Sequence, residues 1–155
     1  YVLALCAGLT DDTPELRSEV IFEEPMVIIP NGLQKLALDG PIPVMTIEPH
    51  SATWQCLGRR IRIASKAWPF RLEVTQTLQS FVCIAQMAKS GLAHGLVPVG
   101  VVRALGIPLD RVLHFPDKGL SRPVSLAGRS SAFARPAVEK FHASLIRAVA
   151  AIEPA

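Results

Sequence analysis

Short, nearly unbroken apolar runs alternate along this chain with stretches in which apolar residues recur every three or four positions. The runs are Tyr1–Cys6, the two halves of Glu19–Pro30 (EVIFEEPMVIIP) on either side of Pro25, Val44–Ile47, Phe70–Val74, Gly95–Pro98, Val112–Phe115 and Val124–Ala127. Each has the length of a strand, and the fully apolar ones suit strands buried on both faces. Between them, Ser51 predicts an N-cap for a helix over 52–64, with Trp54, Leu57 and Ile61 facing inward. Thr75-Gln76-Thr77 is expected to open a second helix, carrying Leu78, Phe81, Val82, Ala85 and Ala88 and closed at Gly91. A short helix runs to Leu105, and a last one over 135–152 is expected to turn Val138, Phe141, Leu145, Ile146 and Val149 inward. Strands alternating with helices predict an α/β fold with a mostly parallel sheet.

At 155 residues the chain can bury roughly 70% of the surface its unfolded form exposes, which is enough to dispense with disulfide or metal staples. Half of the residues are hydrophobic and 19% charged, a globular balance that excludes disorder. No apolar run approaches the ~20 residues of a membrane-spanning helix. Sixteen Lys and Arg against thirteen Asp and Glu give a net charge of +3, too little and too scattered for nucleic-acid binding by this segment. The one tight basic group, Arg59, Arg60 and Arg62, reads as the solvated face of a helix. Cys6, Cys56 and Cys83 are odd in number and widely spaced, which suits a reducing cytoplasm and neither a disulfide framework nor a zinc site. TDDTP is a turn cluster in which Asp11-Asp12 is solvated by default.

Right-handed crossovers place the C-terminal ends of parallel strands on one edge. Two loops on that edge lead into expected helix starts, Pro49-His50-Ser51 and Thr75-Gln76-Thr77. Helix starts offer unpaired amides and partial positive charge, so both are natural anion seats. No Ser/His/Asp arrangement, nucleophile elbow, P-loop or HExxH occurs, and Glu23 and Glu24 would point to opposite faces of a strand. The chain therefore reads as a non-enzyme without a cofactor.

The order of LALCAG, LRSEVIFEEPMVIIP, VTQTLQSFVCIAQMAKSGLAHGLVPVGVV and PVSLAGRSS, followed by a terminal helix, resembles the effector-binding domain of LysR-type transcriptional regulators. Gly91, Gly95 and Pro98 in SGLAHGLVP carry most of the likeness. The resemblance implies a periplasmic-binding-protein-like (type 2) domain of two α/β lobes joined by hinge strands, with the first lobe incomplete. Residues 1–20 would belong to lobe I, 21–114 to lobe II, the regulatory subdomain, and 115–155 would return to lobe I and its C-terminal helix. The winged helix-turn-helix, and about 60 residues that usually open the first lobe, are expected in a longer protein of which this is a piece. The family's strand aspartate is replaced by Val2.

The resemblance further implies a small organic effector, expected to be anionic, held in the cleft between the lobes. Ser51 and Thr53 would contact it, although Ser51 reads equally as a cap, and His50 would add a hydrogen bond or counter-charge. Thr75, Gln76 and Thr77 would line the second side, with capping as their alternative, and Val97 and Pro98 would form an apolar wall or plain core. Peroxide-sensing members carry a reactive cysteine where this chain has His50-Ser51, so redox sensing is not expected here, with Cys56 deeper in the helix. A cytoplasmic homodimer or tetramer, touching DNA only through the absent domain, completes the expectation. A stand-alone solute-binding protein of a transporter is the alternative.

Overall fold

The computed structural model describes residues 3–8, 14–116 and 119–152. Tyr1, Val2 and the Asp11-Asp12 turn lie outside the described residues. In chain order the elements are β1 (Leu3–Ala7), β2 (Leu16–Ile29), β3 (Pro41–Ile47), α1 (Ala52–Ala64), β4 (Arg71–Leu78), α2 (Phe81–Lys89), β5 (His94–Pro98), α3 (Val99–Ala104), β6 (Leu113–His114), β7 (Ser121–Arg129), α4 (Ser130–Phe133) and α5 (Pro136–Ile152). Single 3₁₀ turns occupy Asn31–Leu33 and Leu109–Arg111. The chain forms two compact units, one of Tyr1–Glu23 with Pro123–Ala155 and one of Glu24–Arg122. The change-overs thus fall at Glu23/Glu24 and Arg122/Pro123.

In the Glu24–Arg122 unit, Met26–Ile29 shows why four apolar residues in a row belong to one strand. Met26 and Ile28 pack on one face with Val44, Leu57, Phe70, Leu96, Phe115 and Leu120. Val27 and Ile29 pack on the other with Met45, Ile84, Ala85, Ala88, Val97 and Val102. Side chains alternate across a strand, so only a sheet covered on both faces accepts such a run. Leu57 of α1 covers the first face, and Ile84, Ala85, Ala88 and Val102 of α2 and α3 cover the second. The strand order is β2-β5-β3-β4, with β6 also on β2. β3 runs parallel to β4 and β5, whereas β2 runs antiparallel to β5 and β6. The sheet is therefore mixed rather than mostly parallel, because β2 enters it against the direction of β3, β4, β5 and β6.

In the other unit β1 pairs antiparallel with β7, and Leu126, Phe133 and Val138 form the core with Leu3 and Ile21 against it. Three expectations are corrected here. β1 is not buried on both faces, since Leu5 is 59% exposed and no described element covers it. Among the described side chains of α5 only Val138 is buried, while Phe141 and Ile146 are 49% and 43% exposed. Helical spacing reports which face is apolar, not whether anything lies against it. The Glu19–Pro30 stretch is not two pieces, since β2 runs unbroken through Pro25 as far as Ile29. Pro25 stands just before the β5 ladder begins at Met26, so its missing N–H removes no bond from that ladder. Met26 N–H instead donates to Leu120 O at 2.7 Å.

Candidate functional site

Parallel pairing of β3 with β4 and β5 brings the C-terminal ends of all three strands to one edge of the Glu24–Arg122 unit. α1, α2 and α3 each start from that edge. β2 reaches it from the opposite direction, because Met26 lies opposite Pro98. Ligands of open α/β sheets bind outside such carboxyl ends.

Ser51 caps α1 as its sequence position predicts. Its Oγ accepts from Trp54 N at 3.1 Å and donates to Glu48 O at 2.9 Å. Ala52 N–H is then the first of the amides that helix geometry leaves without an intrahelical partner. His50 is exposed in the turn before the cap. Thr53 is 5% exposed, and its Oγ1 accepts from Arg122 Nη1 at 3.2 Å.

Thr75, Gln76 and Thr77 do not open a helix. They lie in β4, exposed, with a register shift between Val44 and Met45 that lets the chain skip Thr75 in the β3 ladder. Thr75 Oγ1 donates to Val44 O at 3.4 Å. Threonine is both a good cap and a good strand former, and pairing with β3 settles the matter for the strand. The cap of α2 is Ser80, whose Oγ accepts from Cys83 N at 3.4 Å. Val97 is fully buried in the core between β2 and α2, and Pro98 is the buried residue from which α3 starts.

The groups that organise this edge are ones the local pattern did not single out. Arg122 donates to Glu24 Oε2 from Nε at 2.9 Å and from Nη2 at 2.7 Å, a two-pronged ion pair with side chains 15% and 13% exposed. Gly100 N–H donates to Glu24 Oε1 at 3.2 Å. A Cβ at Gly100 would overlap that same oxygen, so a side chain there would push the carboxylate from its place. The guanidinium also lies over the Phe81 ring, 5.3 Å from its centroid, within range of a cation–π contact. Burying two charges repays its desolvation only with good geometry and with the remaining donors and acceptors satisfied. Two-pronged contact, Gly100 N–H, Thr53 Oγ1 and Phe81 together supply that. Arg60, one of the three arginines read as a solvated face, turns inward. Its Nη1 donates to Ser121 O at 2.9 Å and Ser121 Oγ at 2.8 Å. Thr53 and Arg60, seven positions apart on one face of α1, thus hold consecutive residues of β7.

Among the described residues no group of three or more His, Cys, Asp or Glu side chains is placed to bind a metal ion, and no helix is long and apolar enough to cross a membrane. Cys6, Cys56 and Cys83 form no disulfide.

The family model of the LysR substrate binding domain matches residues 3–150. This chain belongs to that family. It is an effector-sensing domain of the LysR type, and its membership selects the regulator reading over the transport receptor. Solved structures agree on the fold, which is the type 2 periplasmic-binding-like one. The reduced regulatory domain of OxyR2 from Vibrio vulnificus superposes with a TM-score of 0.66 at 16% identity, over 96% of this chain and 71% of that one. The regulatory domain of MetR, a LysR family regulator from N. meningitidis, gives 0.65 at 16% identity, over 99% and 75%. Full-length HypT from Salmonella, a hypochlorite-specific LysR-type regulator, gives 0.64 at 14% identity. The LysR-family chain spans 97% of its own length there but only 52% of HypT. A search among curated proteins found no significant match.

Proposed function

We propose that this LysR-type domain senses a small organic anion at the edge where α1, α2 and α3 begin. Tyr1–Glu23 with Pro123–Ala155 would be the first lobe and Glu24–Arg122 the regulatory lobe. The acidic group of the effector sits at the entrance of α1, on the amides of Ala52 and Thr53 and the hydroxyl of Ser51, with His50 beside it. Gln76 and Thr77 on the exposed β4 edge contact the rest of the molecule. The observation that carries this reading is the cluster at that edge, where Thr53, Phe81 and Gly100, from the first turns of three helices, all touch one Arg–Glu pair. A helix start favours negative charge by about 0.3–1 kcal/mol when exposed and more when partly buried, so a carboxylate there is preferred over a neutral group. The domain performs no chemistry on its ligand. Its output passes to DNA through a winged helix-turn-helix domain of a longer cytoplasmic protein that acts as a dimer or tetramer. Binding changes that output only if the ligand favours one arrangement of the protein over another.

Amide NMR titrations of the ¹⁵N-labelled chain with a panel of small carboxylic acids and sulfate test the site. Shifts centred on Ala52–Trp54 are expected, and Ser51→Ala should weaken them. Shifts centred instead on Leu33–Lys35 and Asp110–Val112, which line a groove of about 420 Å³ where β2 ends, would overturn the assignment.

A further inference from the structure

Arg122 at this edge already holds an anion, and that anion belongs to the chain. We propose that Glu24 is a built-in competitor of the effector: its carboxylate fills the oxyanion position between Arg122 and Gly100 N–H, and an anionic effector binds by displacing it. The inference rests on the proposed effector site and names how that site is regulated.

Three observations support it. The carboxylate is received as an acidic ligand would be, with two guanidinium donors on one oxygen and a backbone amide on the other. Space for it is reserved, since any side chain at position 100 would occupy the place of Oε1. The cation is oriented independently of Glu24, by Thr53 Oγ1 and the Phe81 ring, so the position keeps its shape when the carboxylate leaves.

The place of the pair in the chain gives the exchange a consequence. Glu24 and Arg122 are the first and last residues of their unit, on the two strands β2 and β7 that run on into the other unit. The carboxylate ties one strand to the other at the point where both leave. An effector that takes Arg122 unties them, so ligand affinity and the freedom of the change-over become one equilibrium. That is the differential interaction a sensor requires. Neutralisation by Glu24 also sets a threshold: weakly bound ambient anions fail to displace a tethered carboxylate, which competes at the high effective concentration of an intramolecular group.

Sulfate is a sufficient probe. Its dissociation constant would be measured by NMR on the parent chain, Glu24→Gln, Gly100→Ala and Arg122→Gln, each first checked for native amide dispersion. Glu24→Gln removes the competing charge but keeps an acceptor for Gly100 N–H. Gly100→Ala crowds the carboxylate out while leaving both charges in place. Both should tighten sulfate binding tenfold or more, and Arg122→Gln should abolish it. In the parent, saturation with sulfate should move the Glu24 carboxyl carbon and the Arg122 Nε–H resonance together, a readout that needs no variant. Equal affinity in the parent and Glu24→Gln, or a Glu24 carboxyl signal that stays fixed while amides respond, would overturn the exchange. If those amides were Ala52–Trp54, the effector site would stand without it. Tighter binding in Glu24→Gln that moves Arg122 but not Ala52–Trp54 would support the exchange and remove the α1 entrance from the site. Absence of sulfate binding in every folded variant would overturn it as well.

Discussion

At the scale of single residues, the edge of the Glu24–Arg122 unit is held by contacts that can be separated energetically. Ser51→Ala takes the acceptor from Trp54 N, and the loss should be about 1 kcal/mol in urea denaturation, the usual worth of an N-cap. Gly100→Ala and Glu24→Gln should not be additive. In the parent the new methyl collides with a carboxylate fixed by Arg122, whereas in Glu24→Gln the side chain is released from that ion pair and can move aside. A double-mutant cycle on unfolding free energy should return a coupling of about 1 kcal/mol or more, and additivity within about 0.3 kcal/mol would contradict the geometry. The Ser51 cap was legible because everything that defines it lies within three residues. The Glu24–Arg122 pair was not, because its partners are 98 positions apart and neither charge is unusual in its own neighbourhood. Glu23-Glu24 reads locally as a carboxylate pair on opposite faces. Nothing in the adjacent residues announces that one of the two meets an arginine.

Elements show the same division between local and distant causes. The α2 helix ends with Gly91 at φ +85°, Gly91 N–H on Ala88 O and Leu92 N–H on Met87 O, a Schellman closure in which a left-handed residue satisfies the last carbonyls. Gly91→Ala should cost about 1 kcal/mol by chemical denaturation, since alanine resists that φ and its methyl would press on Asn31 Oδ1. Asn31 leads to a second element-scale prediction. Its N–H donates to His94 Nδ1 at 2.9 Å, anchoring the stretch between β2 and β3 to the first residue of β5. Burial holds the His94 pKa below its ordinary value. A histidine with a depressed native pKa binds fewer protons folded than unfolded, so stability is full above about pH 6.5 and declines as pH falls through that value toward the native pKa. Protonation of Nδ1 also turns the acceptor into a donor that faces another donor. Denaturation midpoints measured from pH 7.5 to 5 should fall, and His94→Gln should flatten the decline. α1 was readable from its cap and its three- and four-residue spacing. The β4–α2 boundary was not, because Thr75 and Thr77 satisfy local rules for a cap and for a strand equally well, and pairing with β3 decided between them.

For the whole molecule, the two units differ in how the chain builds them. Glu24–Arg122 is one continuous segment carrying both faces of its sheet, both covering layers and the Arg–Glu pair. A polypeptide of residues 24–122 should therefore unfold in one cooperative step, with the dispersed methyl resonances of a packed core. Loss of cooperativity would show that its stability is borrowed from the remainder. Within it, Ile28→Ala should cost about 2–5 kcal/mol, as removal of a wholly buried side chain does. Phe141→Ser on the half-exposed face of α5 should cost far less in the intact chain. The α/β class and the order of elements followed from patterning, because both depend on periodicity. The exposure of α5 and of Leu5 did not, because coverage is a property of neighbours.

That continuity also fixes an order of events on the ribosome. β1 and the first part of β2 leave the exit tunnel before β3 to β6, yet β7, the partner of β1, is made only after the entire Glu24–Arg122 segment. At about 5–20 residues per second, Leu3, Leu5 and Ile21 wait for several seconds beside a neighbour already able to fold. A nascent chain halted just after Arg122 should thus present one finished body and, ahead of it, a β1 segment still waiting for its partner strand. It is that waiting segment, and not the finished Glu24–Arg122 body, that a holding chaperone would grip.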